Sequence, residues 1–165
     1  MTTVTIGARE IPAPSLMSDP GAAGVTLSVV LPVLNEARDL GPLLDDLEAQ
    51  AEPEGGFEIV VADGGSTDGT RELLEERAAV QPRLRWVENP GRRSSAGRDA
   101  GARAARGRYL LFIDGHCRLG DPEHLTRLVA LFETQGAAAV CRAQSLLAFD
   151  ARGWPAAIAQ ARHAA

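Results

Sequence analysis

The sequence predicts an α/β protein with a mostly parallel β-sheet flanked by helices. Short β-branched segments alternate with longer segments of helical periodicity from Val25 onward, as repeated β-α-β units require. The first apolar segment, residues 26–33, is apolar on both faces, which is typical of a central strand covered on two sides. The 165 residues, 45% hydrophobic and 24% charged, match one ordinary globular domain.

The remaining strands follow from β-branched and aromatic runs bounded by turn residues. They are predicted at residues 57–63, 84–88, 108–114 and 137–142. The first helix is marked by apolar residues spaced i, i+3, i+4 and i+7, with acids turned outward. Its apolar face consists of Leu40, Leu43, Leu44 and Leu47, and its outward acids are Asp45, Asp46 and Glu48.

Three further helices are predicted between or after these strands. Residues 68–80 form one with Asp68 near its cap and Leu73 and Leu74 inward. Residues 94–105 form another, and a stripe of small side chains lets this helix lie close to the sheet. The stripe consists of Ala96, Ala100 and Ala104. Asp121 caps the third, with Pro122 in its first turn and a buried stripe of Leu125, Leu128, Val129 and Phe132. Residues 154–165 have helical composition.

The N-terminal 24 residues are predicted to be a flexible leader, because they contain three prolines and no apolar core for a signal peptide. No apolar run approaches the roughly 20 residues of a membrane span. We therefore expect a cytoplasmic protein, free or at the inner face of the membrane. Cys117 and Cys141 are far apart and are expected to be buried free thiols.

Polar residues gather where three predicted strands end. Asn35 and Glu36 follow the first strand, Asp63 ends the second, and Asp114 and His116 follow a later one. Each group alone is typical of a turn, but parallel strands bring their carboxyl ends to one edge, where ligands bind. The glycines of ADGGSTDGT allow close backbone approach, so Gly65 and Ser66 join the candidate ligand-binding residues, although no phosphate-binding P-loop or GxGxxG motif is present.

The residue types at these strand ends suit a nucleoside diphosphate. A carboxylate such as Asp63 accepts hydrogen bonds from an imide or a ribose hydroxyl, and Asp114 and His116 can approach a cation together. The motifs LSVVLPVLNEA, VVADGGSTDGT and SSAGRDAGARAARGRYLLFIDGH, in this order, resemble the family 2 glycosyltransferases over residues 25–142. The resemblance implies a GT-A fold, with a Rossmann-like half for a nucleotide sugar and a second half for the acceptor.

Carried over residue by residue, the resemblance implies a donor site. Its nucleotide pocket would be shaped by Pro32, Leu34, Asn35 and Glu36. Asp63 would contact the base, Arg98 would lie near the base or diphosphate, and Asp114 would face the ribose and metal region. The metal would be a divalent cation, manganese or magnesium, held by Asp114 and His116.

The sequence departs from the family pattern at two of these motifs. Gly64 stands where many members have a second aspartate, and His116 replaces the last carboxylate of the usual Asp-X-Asp. A nitrogen ligand from His116 favours manganese or another transition metal over magnesium. An Asp-X-His is similar to that of a branch of bacterial exopolysaccharide glycosyltransferases.

The implied reaction is inverting transfer of a sugar from a UDP- or GDP-sugar to a hydroxyl of a saccharide or lipid-linked acceptor. The family's catalytic base comes from the acceptor half, and we expect the domain at residues 25–165 to stop before it. No base is assigned, and a donor-binding module without catalysis is the alternative.

A nucleic-acid partner, suggested by the net charge of +6 over residues 83–108, is not expected because no stacking aromatic motif accompanies it. A zinc site closed by four protein ligands is not expected either, because the sequence lacks four such residues at a suitable spacing.

Overall fold

The computed structural model describes residues 24–135. Four strands form one sheet, β1 (Leu27–Val33), β2 (Phe57–Asp63), β3 (Leu84–Glu88) and β4 (Tyr109–Phe112), and four helices alternate with them. The helices are α1 (Ala37–Glu48), α2 (Thr70–Val80), α3 (Ser94–Ala104) and α4 (His124–Gln135). The α/β class is confirmed. The predicted leader, fifth strand and last helix, together with Cys141, lie outside the described residues.

The sheet has the order β3-β2-β1-β4, and every strand pair is parallel. All residues of β1 and β2 are buried, because helices cover both faces of these strands. In register, Val33 at the end of β1 lies beside Asp63 at the end of β2, which lies beside Glu88 at the end of β3. The loops that follow these strands therefore start at one edge of the sheet.

The core confirms the predicted faces of most helices. Leu40, Leu43, Leu44 and Leu47 of α1 are buried, as are Leu74 of α2 and Leu125 and Val129 of α4. The boundaries of several elements differ by one to three residues, because the ends of helices and strands lack a regular hydrogen-bonding partner. The largest differences are in β4, which occupies Tyr109–Phe112 where 108–114 was predicted, and in α4, which begins at His124.

Two details of the predicted faces were wrong. The side of α3 nearest the sheet is formed by Gly97 and Gly101, whereas the alanine stripe is only half-buried. A Cβ on Gly97 would lie 2.8 Å from the Cβ of Pro32, so the approach of α3 to β1 requires glycine. Asp46 is not turned outward: its side chain is 17% exposed because Arg118 and the amide of Leu119 bind it.

Cys117 is a free thiol, partly buried against the core. Among residues 24–135, no helix is both long and apolar enough to cross a lipid bilayer. The chain divides into two compact units at Leu131, and the site described below lies in the first.

Candidate functional site

A cleft of about 310 Å³ opens beyond the carboxyl ends of the strands. The loops after β1, β3 and β4 and the first residue of α3 line it, which is where open parallel sheets bind ligands. The lining residues are Pro32, Val33, Leu34, Glu36, Asn89, Arg92, Arg93, Ser94, Asp114 and His116. Five of the predicted site residues are thus brought together: Pro32, Leu34, Glu36, Asp114 and His116.

The loop after β1 is tied to the loop after β2 by reciprocal hydrogen bonds. The amide of Asn35 donates to Oγ of Ser66 at 2.8 Å, and the amide of Thr67 donates to Oδ1 of Asn35 at 2.8 Å. Asn35 has a φ of 56°, a left-handed conformation that asparagine tolerates better than most residues. Asn35 and Ser66 do not line the cleft; they join the two loops beside it.

Asp63 is fully buried, and its carboxylate organises the loop that follows β2. It accepts hydrogen bonds from the amide of Gly65 at 3.1 Å, from the hydroxyl of Ser66 at 2.5 Å and from Nε of Arg71 at 2.6 Å. Burial alone would raise the pKa of Asp63, but the hydrogen bonds from Ser66 and Arg71 outweigh it and lower the pKa. The predicted contact of Asp63 with a base stays a prediction; within the described residues this carboxylate is already engaged by the protein.

The loop after β3 brings positive charge to the cleft. Arg92 and Arg93 are exposed at its rim, and neither side chain has a hydrogen-bonding or ionic partner within residues 24–135. The N-terminus of α3 begins at the adjacent Ser94, has no side-chain cap and contributes the positive end of the helix dipole. Anions are therefore favoured at this side of the cleft.

Asn89 supports the same loop from inside. Its side chain is 3% exposed, and its Nδ2 donates to the carbonyl of Arg93 at 3.1 Å. Its Oδ1 is the buried side-chain acceptor without a partner among the described residues. The sequence pattern did not single out Asn89, and Arg92 and Arg93 were included only in the basic segment at residues 83–108, although all three follow a strand end, as the other predicted site residues do.

Asp114 and His116 enter the cleft from the loop after β4, which is at the other edge of the sheet from β3. Nη2 of Arg98 donates to Oδ1 of Asp114 at 2.6 Å, so Arg98 reaches the site through this carboxylate. Oε1 of Glu36 lies 3.4 Å from Nδ1 of His116, and the His116 side chain is 63% exposed. Arg98 and Gly65 do not line the cleft themselves.

Asp114 and His116 offer ligand atoms that fit a divalent cation whose remaining ligands come from a phosphate. One carboxylate oxygen of Asp114 makes no hydrogen bond within the described residues, and His116 offers an imidazole. Residues 24–135 contain no cluster of three or more acidic, histidine or cysteine side chains that could hold a metal by itself. Such a pair suffices where phosphate oxygens complete the coordination, as is usual in nucleotide enzymes.

Comparison with known proteins identifies the family. The model of the family described as "Glycosyl transferase family 2" matches residues 28–153. The chain belongs to glycosyl transferase family 2. A family relative, the succinoglycan biosynthesis protein ExoA of Rhizobium meliloti, is 35% identical over 136 residues, covering 81% of this chain and 41% of ExoA. The chain therefore spans about two-fifths of the length of that relative.

Solved structures show the GT-A fold of the family. The mannosyltransferase PcManGT from Pyrobaculum calidifontis, solved in complex with GDP-Man and Mn2+, superposes with a TM-score of 0.61 at 27% identity, covering 69% of this chain and 34% of that one. TarS from S. aureus, solved in complex with UDP-GlcNAc, has a TM-score of 0.59 at 24% identity, over 73% of this chain and 38% of that one. The recognition made from the sequence motifs is confirmed.

Proposed function

We propose that the cleft binds a nucleoside-diphosphate sugar and that the protein transfers the sugar to an acceptor hydroxyl with inversion. The observation that carries the proposal is the charge arrangement of the cleft. Two unpaired arginines and a helix N-terminus reach the cleft after β3, at one edge of the sheet, and the Asp114–His116 pair reaches it after β4, at the other edge. A diphosphate bridging the two sides would meet cationic groups on both, once a divalent cation is bound.

Each side chain then has a defined task. Arg92 and Arg93 would bind the diphosphate, while Pro32 and Leu34 would form the apolar wall of the nucleotide pocket. Asp114 and His116 would hold the cation, manganese or magnesium, which when bound supplies a Lewis acid that stabilises the departing diphosphate. PcManGT, solved with GDP-Man and Mn2+, supports this choice of ligands.

Two neighbours would orient the metal-binding pair. Arg98 holds one oxygen of Asp114, which leaves the other oxygen for the cation. Glu36 lies beside Nδ1 of His116, and a carboxylate in this position favours the tautomer whose Nε2 is free to coordinate. The sequence placed Glu36 in the nucleotide pocket; we now propose that it also orients His116.

The acceptor hydroxyl must lose its proton to a carboxylate during transfer. We assign none of residues 24–135 to this role, and the acceptor is proposed to be a saccharide or a lipid-linked glycan. The similarity to a succinoglycan biosynthesis protein supports a place in exopolysaccharide or cell-envelope glycan synthesis.

Isothermal calorimetry with UDP and with GDP, in the presence and absence of manganese, tests the donor site. We expect metal-dependent binding of one nucleotide, weakened about tenfold or more in both Asp114→Ala and His116→Ala. Arg103→Gln, a change at an exposed ion pair on α3, is the control and should bind normally. Equal affinity with and without metal would remove the metal role, and nucleotide binding without transfer in an acceptor screen would favour the donor-binding module.

A further inference from the structure

Asp46 lies on α1, outside the cleft, yet its carboxylate binds the segment that directly follows the proposed metal-binding pair, Asp114 and His116. Nε of Arg118 donates to Oδ2 of Asp46 at 2.6 Å, and Nη2 of Arg118 donates to Oδ1 at 2.8 Å. The backbone amide of Leu119 donates to Oδ2 at 2.9 Å. A two-pronged guanidinium contact reinforced by a backbone amide defines orientation as well as distance.

Gln50, two residues after the end of α1, continues this attachment. Its Nε2 donates to the carbonyl of Asp121 at 2.8 Å, and its Oε1 accepts from the amide of Leu125 at 3.2 Å. The side chain of Gln50 is 6% exposed, so these are enclosed hydrogen bonds. Asp46 in the last turn of α1 and Gln50 just after the helix together hold residues 118–125 against this end of α1.

The segment that carries Asp114 and His116 is therefore held at both ends. At its start, the amide of Ile113 donates to the carbonyl of Val30 in β1 at 3.1 Å. Within it, the amide of Cys117 donates to the carbonyl of Asp114 at 3.0 Å and closes a turn. At its end stands the Asp46–Arg118 contact, two residues after His116. Because the His116 side chain is exposed, its position depends on this backbone.

We propose that Asp46 is a positioning residue for the donor site: by holding Arg118 and Leu119 it sets the backbone that presents Asp114 and His116 to the cation. The inference rests on the proposed function. A metal site loses affinity when its ligands move by more than about half an ångström. The carboxylate of Asp46 is available for this role at any ordinary pH, since the hydrogen bond from Arg118 holds its pKa at about 2.

The neighbouring residue provides a matched control. Asp45 also accepts a guanidinium hydrogen bond, from Nη2 of Arg77 at 2.6 Å, but this contact joins α1 to α2. The charge of Asp45 acts on Arg118, yet Asp45 makes no hydrogen bond to the segment after β4 within the described residues. Asp45→Asn and Asp46→Asn make the same chemical change on consecutive residues of one helix. Only the second is expected to alter the metal site.

The experiment titrates manganese into the full chain with UDP or GDP present, whichever the wild type binds, and follows the free ion by electron paramagnetic resonance. We expect the manganese dissociation constant of Asp46→Asn to rise about tenfold, the lower end of the loss that follows removal of a partner bonded directly to a metal ligand, because Asp46 acts on the ligands through the backbone. Asp45→Asn should stay within twofold of the wild type. Without metal, the amide hydrogen exchange of Cys117 and Leu119 should accelerate in Asp46→Asn and stay unchanged in Asp45→Asn.

A second variant guards against misfolding of the first. Arg118→Gln changes a side chain that is 64% exposed and should weaken manganese binding as Asp46→Asn does, and the double variant should be no worse than either. Wild-type manganese affinity in Asp46→Asn would overturn the positioning role and leave the proposed function standing. No manganese binding by the wild type with either nucleotide would overturn the proposed function, and this inference with it.

Discussion

Arg92 and Arg93 are the two arginines that line the cleft, and neither is paired with a carboxylate among residues 24–135. Most other arginines of residues 83–108 are engaged: Arg85 and Arg106 bind Glu58, Arg98 binds Asp114, and Arg103 binds Asp99. Unpaired charges keep their hydration until a ligand arrives, and an anion replaces that hydration with charge-assisted hydrogen bonds. The arginine-rich segment is thus divided between structural pairs and a free pair at the cleft.

The free pair leads to a prediction about which part of the ligand it recognises. Arg92→Gln and Arg93→Gln should each weaken UDP or GDP binding about 10- to 150-fold, because a hydrogen bond to a charged group contributes roughly 1.5–3 kcal/mol. The affinity for the corresponding nucleoside, which lacks phosphate, should change little. Calorimetry with both ligands measures the difference, and Arg103→Gln again serves as the control. An equal loss for nucleoside and nucleotide would contradict diphosphate recognition.

Glycine has a different purpose in two of the helices. In α3, Gly97 allows the helix to touch Pro32 of β1, and through this contact α3 is placed with its N-terminus at the cleft. In α1, a Cβ on Gly41 would lie 3.9 Å from Cδ2 of Leu73, an ordinary contact across the helix interface. Gly41 also precedes Pro42 within the helix, however, and the proline ring disfavours the helical conformation for a preceding residue that carries a Cβ.

Alanine substitution should therefore cost more at Gly97 than at Gly41. Gly97→Ala should lower the free energy of unfolding by about 1–3 kcal/mol, because overpacking outweighs the gain in helix propensity. Gly41→Ala should change it by less than about 1 kcal/mol, because the gain in helix propensity is opposed by the contact with the ring of Pro42. Urea denaturation of both variants provides the measurement. Stabilisation by Gly97→Ala would show that α3 shifts away from β1 at little cost.

Strands β1, β2 and β3 also share a buried charge at the end of the sheet opposite the cleft. Glu58 is 1% exposed and accepts hydrogen bonds from the hydroxyl of Ser28 at 2.7 Å, from Nε of Arg85 at 3.1 Å and from the amide of Arg106 at 2.6 Å. Burial alone would raise the pKa of Glu58, but these hydrogen bonds outweigh it and lower the pKa from 4.5 to about 2. The carboxylate joins β2 to both neighbouring strands.

The depressed pKa of Glu58 predicts how stability depends on pH. Its contribution is present above the unfolded pKa of 4.5 and is lost as the pH falls toward about 2. Glu58→Gln should cost about 3 kcal/mol of unfolding free energy at pH 7, and its stability should fall less steeply than that of the wild type between pH 4.5 and 2. Urea denaturation across this range tests it. Arg103→Gln, at a pair whose side chains are 72% and 64% exposed, should change stability by under about 1 kcal/mol.

At the scale of the whole molecule, the cleft is built from loops that follow three different strands. A ligand that contacts the loops after β1, β3 and β4 links segments distant in sequence, and it does so only in the folded state. Binding should consequently stabilise the entire described unit rather than one loop.

Thermal unfolding measures this coupling. With manganese and the preferred nucleotide at about 100 times its dissociation constant, the melting temperature should rise by ~5–10 °C, corresponding to about 2.7 kcal/mol. EDTA should abolish most of the rise, and His116→Ala should show a smaller one. A rise of equal size with EDTA present would indicate that nucleotide binding does not need the cation.

The sequence by itself determined the order of strands and helices, the faces they bury and the edge at which polar residues collect. These features are encoded locally, since periodicity and strand-end residues reveal burial and turn position without knowledge of partners. Glu36, Asp114 and His116 could therefore be placed together in advance, and the resemblance to the family added Pro32 and Leu34. The order of the three sequence motifs indicated the family to which the chain belongs.

Only the tertiary structure decided which partner each polar side chain meets. It showed Asp63 enclosed by its own loop, Asp46 bound to a segment 72 residues away, and Arg92 and Arg93 facing the cleft unpaired. Hydrogen-bond partners that distant in sequence depend on how helices settle on the sheet, and here glycines such as Gly97 set that distance. A local pattern carries no information about such contacts, because each is fixed by the packing of two elements at once.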